Sequence, residues 1–185
     1  MVGRATTPCS GKAWCRALER TGGRGAGIIE LSDLGGGRSM GEVSKAVELE
    51  QVERYRFSAQ YPDQPFGPLV VDEAIPTGGS AGPGPVLSLA TAVGHCMSST
   101  LVNTLERAHV PVQTIHTVVE VEVGRNERGR LRVQRLSLQI RTAPLRPEDQ
   151  PRFDHCVAIF EDFCTVSGAV REGIPIDTKV GPGSS

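Results

Sequence analysis

The chain predicts an α+β fold: an antiparallel sheet packed around one long central helix that carries Cys96, with a second helix carrying Cys164. Three observations support this. Apolar residues from Val86 to Leu105 recur at three- and four-residue steps over an unusually long stretch. Two later stretches, one ending near Val123 and the other near Ile140, alternate apolar and polar residues with the period of a strand. The segment Arg125-Asn126-Glu127-Arg128-Gly129-Arg130 joins them, with a glycine available for a positive φ, so they read as a hairpin.

At 185 residues the length favours one domain with a real core. Residues 1–42 read differently from the rest. Gly22, Gly23, Gly25, Gly27 and Gly35 to Gly37 break any periodicity, and basic residues are scattered among them. Such a segment cannot bury enough apolar area to offset the entropy of ordering it. It is expected to be a disordered extension, either a transit peptide or sequence upstream of a start at Met40. Residues 43–181 read as the single folded domain, and 182–185 as a tail.

Within that domain, Val47, Leu49, Val52, Tyr55 and Phe57 suggest an early strand with imperfect alternation. Leu69-Val70-Val71 is a short second strand. Pro76 to Pro85 is a loop by composition, and Pro85 suits the first turn of a helix because its missing N–H does no harm there. The central helix should run from about Pro85 to Ala108 and stop before Val110-Pro111. The hairpin strands follow, with a slip of phase at Gln134-Arg135 that predicts a bulge. After a loop from Thr142 to Pro151, a second helix should run from near Arg152 through Phe153, Cys156, Phe160 and Cys164. Ile174 to Val180 reads as a closing strand.

Charge and cysteine usage narrow the function. Twenty basic and twenty-one acidic residues leave a net charge of -1, which gives no support for nucleic-acid binding. No uninterrupted apolar run reaches the ~20 residues of a membrane span; Val86 to Val102 is broken by Ser88, Thr91, His95 and Ser98 to Thr100. Five cysteines, with no apolar leader at the N-terminus, predict reduced thiols in a cytoplasmic setting. Cys9 and Cys15 fall in the extension and are read as non-catalytic.

Cys96 and Cys164 both sit where rigid structure would hold a thiol. A fixed thiol can be aimed at a partner, and two aimed thiols can do redox chemistry. Taken alone, each is more simply a small core hydrophobe. Cys156 with Phe160 and Cys164 forms a helical stripe, most simply a core face. His95-Cys96 and His155-Cys156 invite a zinc site, but neighbours on a helix diverge by about 100°, so no metal is expected. The same divergence keeps His95 from serving as the base of Cys96.

The stretch Pro85-Val86-Leu87-Ser88-Leu89-Ala90-Thr91-Ala92-Val93-Gly94-His95-Cys96 resembles the central helix of the OsmC family, which includes the organic hydroperoxide resistance proteins. Cys164 to Ala169, followed by Ile174-Pro175-Ile176-Asp177, resembles the family's second cysteine and closing strand. The resemblance spans roughly Val47 to Val180. It implies a cofactor-free thiol peroxidase that reduces organic or small hydroperoxides. Cys96 would attack the peroxide and become a sulfenic acid, Cys164 would close a disulfide, and a dithiol reductant would restore both. It also implies a homodimer. Family members carry a glutamate just after the helix-opening proline, holding an arginine against the reactive thiol. Val86 and Leu87 stand there in this chain. Arg54 and Arg56 are the candidate arginines, and Glu73 the candidate replacement carboxylate. The alternative is a non-catalytic domain of this type that binds a small apolar or electrophilic ligand.

Overall fold

The computed structural model describes residues 45–111, 114–143 and 145–181. The extension of residues 1–42, with Cys9 and Cys15, and the tail 182–185 lie outside the described residues. Val43–Ile176 forms one compact unit. Taken by themselves, residues 177–181 have no regular secondary structure.

The compact unit begins with a three-stranded antiparallel sheet in the order β1 (Glu48–Glu53), β2 (Arg56–Gln60), β3 (Leu69–Val71). The early strand expected from Val47 to Phe57 is in fact a tight hairpin. Arg54 takes φ of +37° at its corner, and the ladder slips between Gln51 and Glu53. That turn and bulge are the physical source of the imperfect alternation. β3 runs as expected. The loop after it leads through a cis Ile75–Pro76 bond to the long helix α1 (Pro85–Arg107), which opens with Pro85 in its first turn. α1 ends where His109 turns to φ +55° and Val110 N–H reaches back to the Leu105 carbonyl, just before Pro111.

β4 (Ile115–Arg125) and β5 (Leu131–Thr142) form the predicted hairpin, with Gly129 at φ +72°. Gln134 is the extra residue of a bulge, since Glu122 faces Arg135 and Val123 faces Val133. The hairpin shares no ladder with the first sheet, so the strands form two antiparallel sheets rather than one.

α2 (Gln150–Ile159) is shorter than expected. A 3-10 turn, Phe160–Phe163, follows it, and Cys164 is extended at φ −83°, ψ 104°. A separate helix α3 (Thr165–Glu172) then begins. Cys164 is therefore not on the second helix; it is the N-cap of the third. Phe160 and Cys164 both bury into one core cluster, and the tighter turn redirects the chain so that α3 also packs on α1. A salt bridge of 2.5 Å between Arg171 and Glu161 fastens the corner. The closing strand expected at Ile174 to Val180 does not form among the described residues. Pro175 removes a ladder donor, and Ile174 and Ile176 are exposed.

α1 is the centre of the unit, with β4, α3, the 3-10 turn, α2 and β5 all packed on it. Its length and mean hydropathy of 1.3 match a membrane-crossing segment, but Val93, Met97, Leu101 and Leu105 are buried in the core cluster. Gly94 allows the closest approach to β4: a Cβ there would lie 2.6 Å from Val119 Cγ2.

Candidate active site

The two predicted cysteines meet. Cys96 lies midway along α1 and keeps partial access to solvent, whereas Cys164 is 3% exposed. Their sulfurs are 3.0 Å apart, in hydrogen-bond contact. A disulfide would need them to approach by only about 1 Å more. One turn along α1, Thr100 Oγ1 donates to the Cys96 carbonyl at 2.8 Å.

The position of Cys164 gives its thiol unusual surroundings. Cys164 is the N-cap residue of α3, and its side chain makes no capping hydrogen bond to that helix. Burial would raise its pKa. The neighbouring polar groups of Ser167, Cys96 and Thr100 together outweigh burial and hold the thiol below its ordinary range. Ser167 is itself 4% exposed. Sequence reading missed Ser167. The signal that could have found it is an N-cap cysteine with serine three residues on, in the spacing of a capping box. The apolar stripe that predicts one helix through Cys164 hides that signal.

The expected arginine clamp takes a different form. Arg56 Nε contacts Asp72 Oδ2 at 3.3 Å, and its Nη1 contacts Glu53 at 3.1 Å. The carboxylate that holds it is therefore Asp72, not Glu73. Asp72 is 3% exposed, and Oδ2 also receives the N–H groups of Gly79 and Ala81, each at 3.1 Å. This pair ties the glycine loop to the first sheet. Among the described residues no arginine hydrogen bonds to either thiol. His95 and His155 are exposed, and Cys156 is buried with Sγ donating to the Thr104 carbonyl at 3.7 Å.

Two cavities flank α1. One of about 370 Å³ lies against Leu89, Val93, Met97, Leu136 and Leu138, and reaches Ser167. Arg135 and Arg171 also line it. A wider, more open hollow of about 630 Å³ runs along the opposite side of the helix, past Leu87, Thr91, His95, Ile115 and Val119. Chemically, the arrangement can pass a proton between two sulfurs and join them.

Comparisons with known proteins agree on the type of domain. The family model described as OsmC-like protein matches residues 77–179. Among solved structures, a hypothetical protein from Aquifex aeolicus superposes with a TM-score of 0.56 at 17% identity, over 71% of this chain and 89% of that one. An OsmC-like protein of unknown function from Vibrio cholerae gives 0.58 at 10% identity, over 69% and 94%. The organic hydroperoxide resistance protein OhrB of Bacillus subtilis gives 0.52 at 18% identity, over 70% and 91%. No curated protein sequence matches significantly.

Proposed function

Because the chain belongs to the OsmC-like protein family, we propose that it is a thiol-dependent peroxidase acting on organic or small hydroperoxides through Cys96 and Cys164. The observation that carries this reading is the 3.0 Å contact between two sulfurs from separate elements. The name of the Bacillus subtilis protein points to the same substrate class.

The 3.0 Å contact supports the following steps. Cys96 loses its proton to solvent, and Cys164 Sγ–H donates to the resulting thiolate across the contact, which makes Cys96 the nucleophile. Its thiolate attacks the distal oxygen of the hydroperoxide. The O–O bond breaks, the alkoxide leaves, and Cys96 becomes a sulfenic acid. The alkoxide takes the proton held on Cys164 and departs as the alcohol. Cys164 is then a thiolate next to the sulfenic sulfur, and it attacks. The S–S bond forms, and the hydroxide that leaves picks up a proton from solvent as water. A dithiol, in a reducing cytoplasmic setting, returns two electrons and restores both thiols. None of these steps needs a metal or an organic cofactor.

A homodimer belongs to this reading. Among the described residues β1 is an edge strand carrying Glu48, Glu50 and Glu53, and the hairpin of the other sheet carries Arg128, Arg130 and Arg132. These opposite charges suit a second copy, and the open apolar hollow beside Leu87 is a surface it would cover.

One observation favours the alternative of a ligand-binding domain without turnover: Arg56 is committed to Asp72 and Glu53 rather than to a thiol. One experiment separates the two. The wild-type chain should consume cumene hydroperoxide with a dithiol reductant and lose two hydrogens by intact mass when the reductant is withheld. Cys96→Ser should do neither. Cys164→Ser should stop after one equivalent with a sulfenic acid on Cys96. Equal turnover by wild type and Cys96→Ser refutes the peroxidase reading.

A further inference from the structure

We propose that the same pair of thiols also reduces neutral organic polysulfides, R–S–S–S–R, and accelerates that reaction more than it accelerates hydroperoxide reduction. The activity rests on the two-thiol reading above and adds a second class of oxidant, selected by its leaving group.

The first observation is what stands beside the sulfurs. The group in contact with Cys96 Sγ is the Cys164 S–H, at 3.0 Å, and a thiol is a weak hydrogen-bond donor. Among the described residues no arginine hydrogen bonds to either thiol, and Arg56 is held by Asp72 and Glu53. Breaking an O–O bond sends out an oxyanion about as basic as hydroxide, whose parent ionises near ~15.7. Such a leaving group gains most from a cation or a strong donor aimed at it. Breaking an S–S bond sends out a thiolate, whose parent ionises near ~8.5, and the lower that pKa the faster the sulfur leaves. A site with a weak donor and no guanidinium on its thiols therefore favours sulfur leaving groups.

The second observation is the wall of the neighbouring cavity. Val93, Met97 and Cys164 belong to one core cluster, and Leu89, Cys96, Leu136 and Leu138 pack against it. The five apolar side chains of that set line the cavity of about 370 Å³. Arg135 and Arg171 also border it, but they face Glu122 at 3.7 Å and Glu161 at 2.5 Å. A hydrocarbon wall with its bordering charges paired suits a small, neutral, apolar oxidant.

The exchange balances. The Cys96 thiolate attacks a terminal sulfur of the polysulfide and forms the mixed disulfide Cys96–S–S–R. The adjoining S–S bond breaks, and its electron pair leaves on the persulfide R–S–S⁻. Cys164 gives up its proton, attacks Cys96 Sγ and expels R–S⁻, so that the Cys96–Cys164 bond forms. Two electrons pass from the protein to the polysulfide. The two thiol protons end, through solvent, on R–SH and R–S–SH. A dithiol reductant restores both thiols, as in the hydroperoxide cycle.

The test mixes the reduced full chain, freed of reductant and oxygen, with diallyl trisulfide or with cumene hydroperoxide. Samples are quenched in acid, alkylated with N-ethylmaleimide and mapped by mass spectrometry. Glutathione at the same pH gives the rate of a free thiol with each oxidant. With diallyl trisulfide the Cys96–Cys164 bond should form at least about tenfold faster than glutathione reacts, and the gain should be smaller with the hydroperoxide. Cys164→Ser should stop with an allylthio group on Cys96, and Cys156→Ser should leave the rate unchanged. A gain no larger for the trisulfide than for the hydroperoxide, or an allylthio group mainly on Cys156, overturns the proposal. Hydroperoxide consumption without polysulfide reduction also overturns it and leaves the peroxidase reading standing. Polysulfide reduction without hydroperoxide consumption removes the peroxidase reading and keeps this one.

Discussion

Asp72 shows how a single buried side chain organises the approach to the central helix. The N–H of Ala81, then that of Gly79 and the Arg56 guanidinium, hold its carboxyl below the ordinary carboxylate range, while burial opposes them. A carboxylate with a depressed folded pKa stabilises the fold above its unfolded value, and that contribution is lost as pH falls through the folded value. Asp72→Asn should therefore lower the urea midpoint at pH 7, and the gap to wild type should close as the pH drops below the carboxylate range. A gap that is unchanged from pH 7 to pH 3 would show that the charge of Asp72 contributes nothing. Asp72 stands beside Glu73 in the sequence, and nothing local says which of the two turns inward. The register of β3 against β2 decides it, because Asp72 follows Val71, which faces Phe57 beside Arg56.

Among the elements, α1 carries the architecture and the second half of the chain locks onto it. Asp149, 1% exposed, accepts from Arg146 at 2.8 Å and from Arg152 at 2.6 Å at the start of α2. Arg152 also reaches the Ala108 carbonyl at 3.4 Å, joining that start to the end of α1. Leu105 is fully buried, and Leu105→Ala should cost about 2–5 kcal/mol by chemical denaturation. Gly94 sets the spacing to β4. Gly94→Ala would press on Val119, a stiff β-branched side chain, and should cost about 1–3 kcal/mol despite the better helix propensity of alanine. Val119→Ala should relieve that strain in the double variant. Additive losses in the cycle would show that the contact between Gly94 and Val119 does not set the helix position.

For the whole molecule, the strand edges and exposed apolar side chains of the described residues are where the proposed partner copy would bind. Leu87, Val123 and Leu131 are 59%, 48% and 59% exposed, and among the described residues the two sheets have unpaired strand edges. Sedimentation of the wild type should give twice the 19.7 kDa chain mass. Leu87→Glu, placed in the open hollow beside α1, should shift it toward one chain. A wild type that sediments as a single chain at micromolar concentration would refute the homodimer.

Legible along the chain were the long helix, its proline start and its stop before Pro111, the hairpin with Gly129 at the turn, and the Gln134 bulge. These are short-range signals, written in the period of apolar residues and in the backbone limits of glycine and proline. Packing settles that the second helix breaks at Phe160, that no closing strand forms among the described residues, that Asp72 rather than Glu73 holds Arg56, and that the sulfurs of Cys96 and Cys164 lie 3.0 Å apart. Each of these depends on what packs against what. A helix will turn tight to bury two side chains in one core, and a polar group's role is set by neighbours that lie far away along the chain.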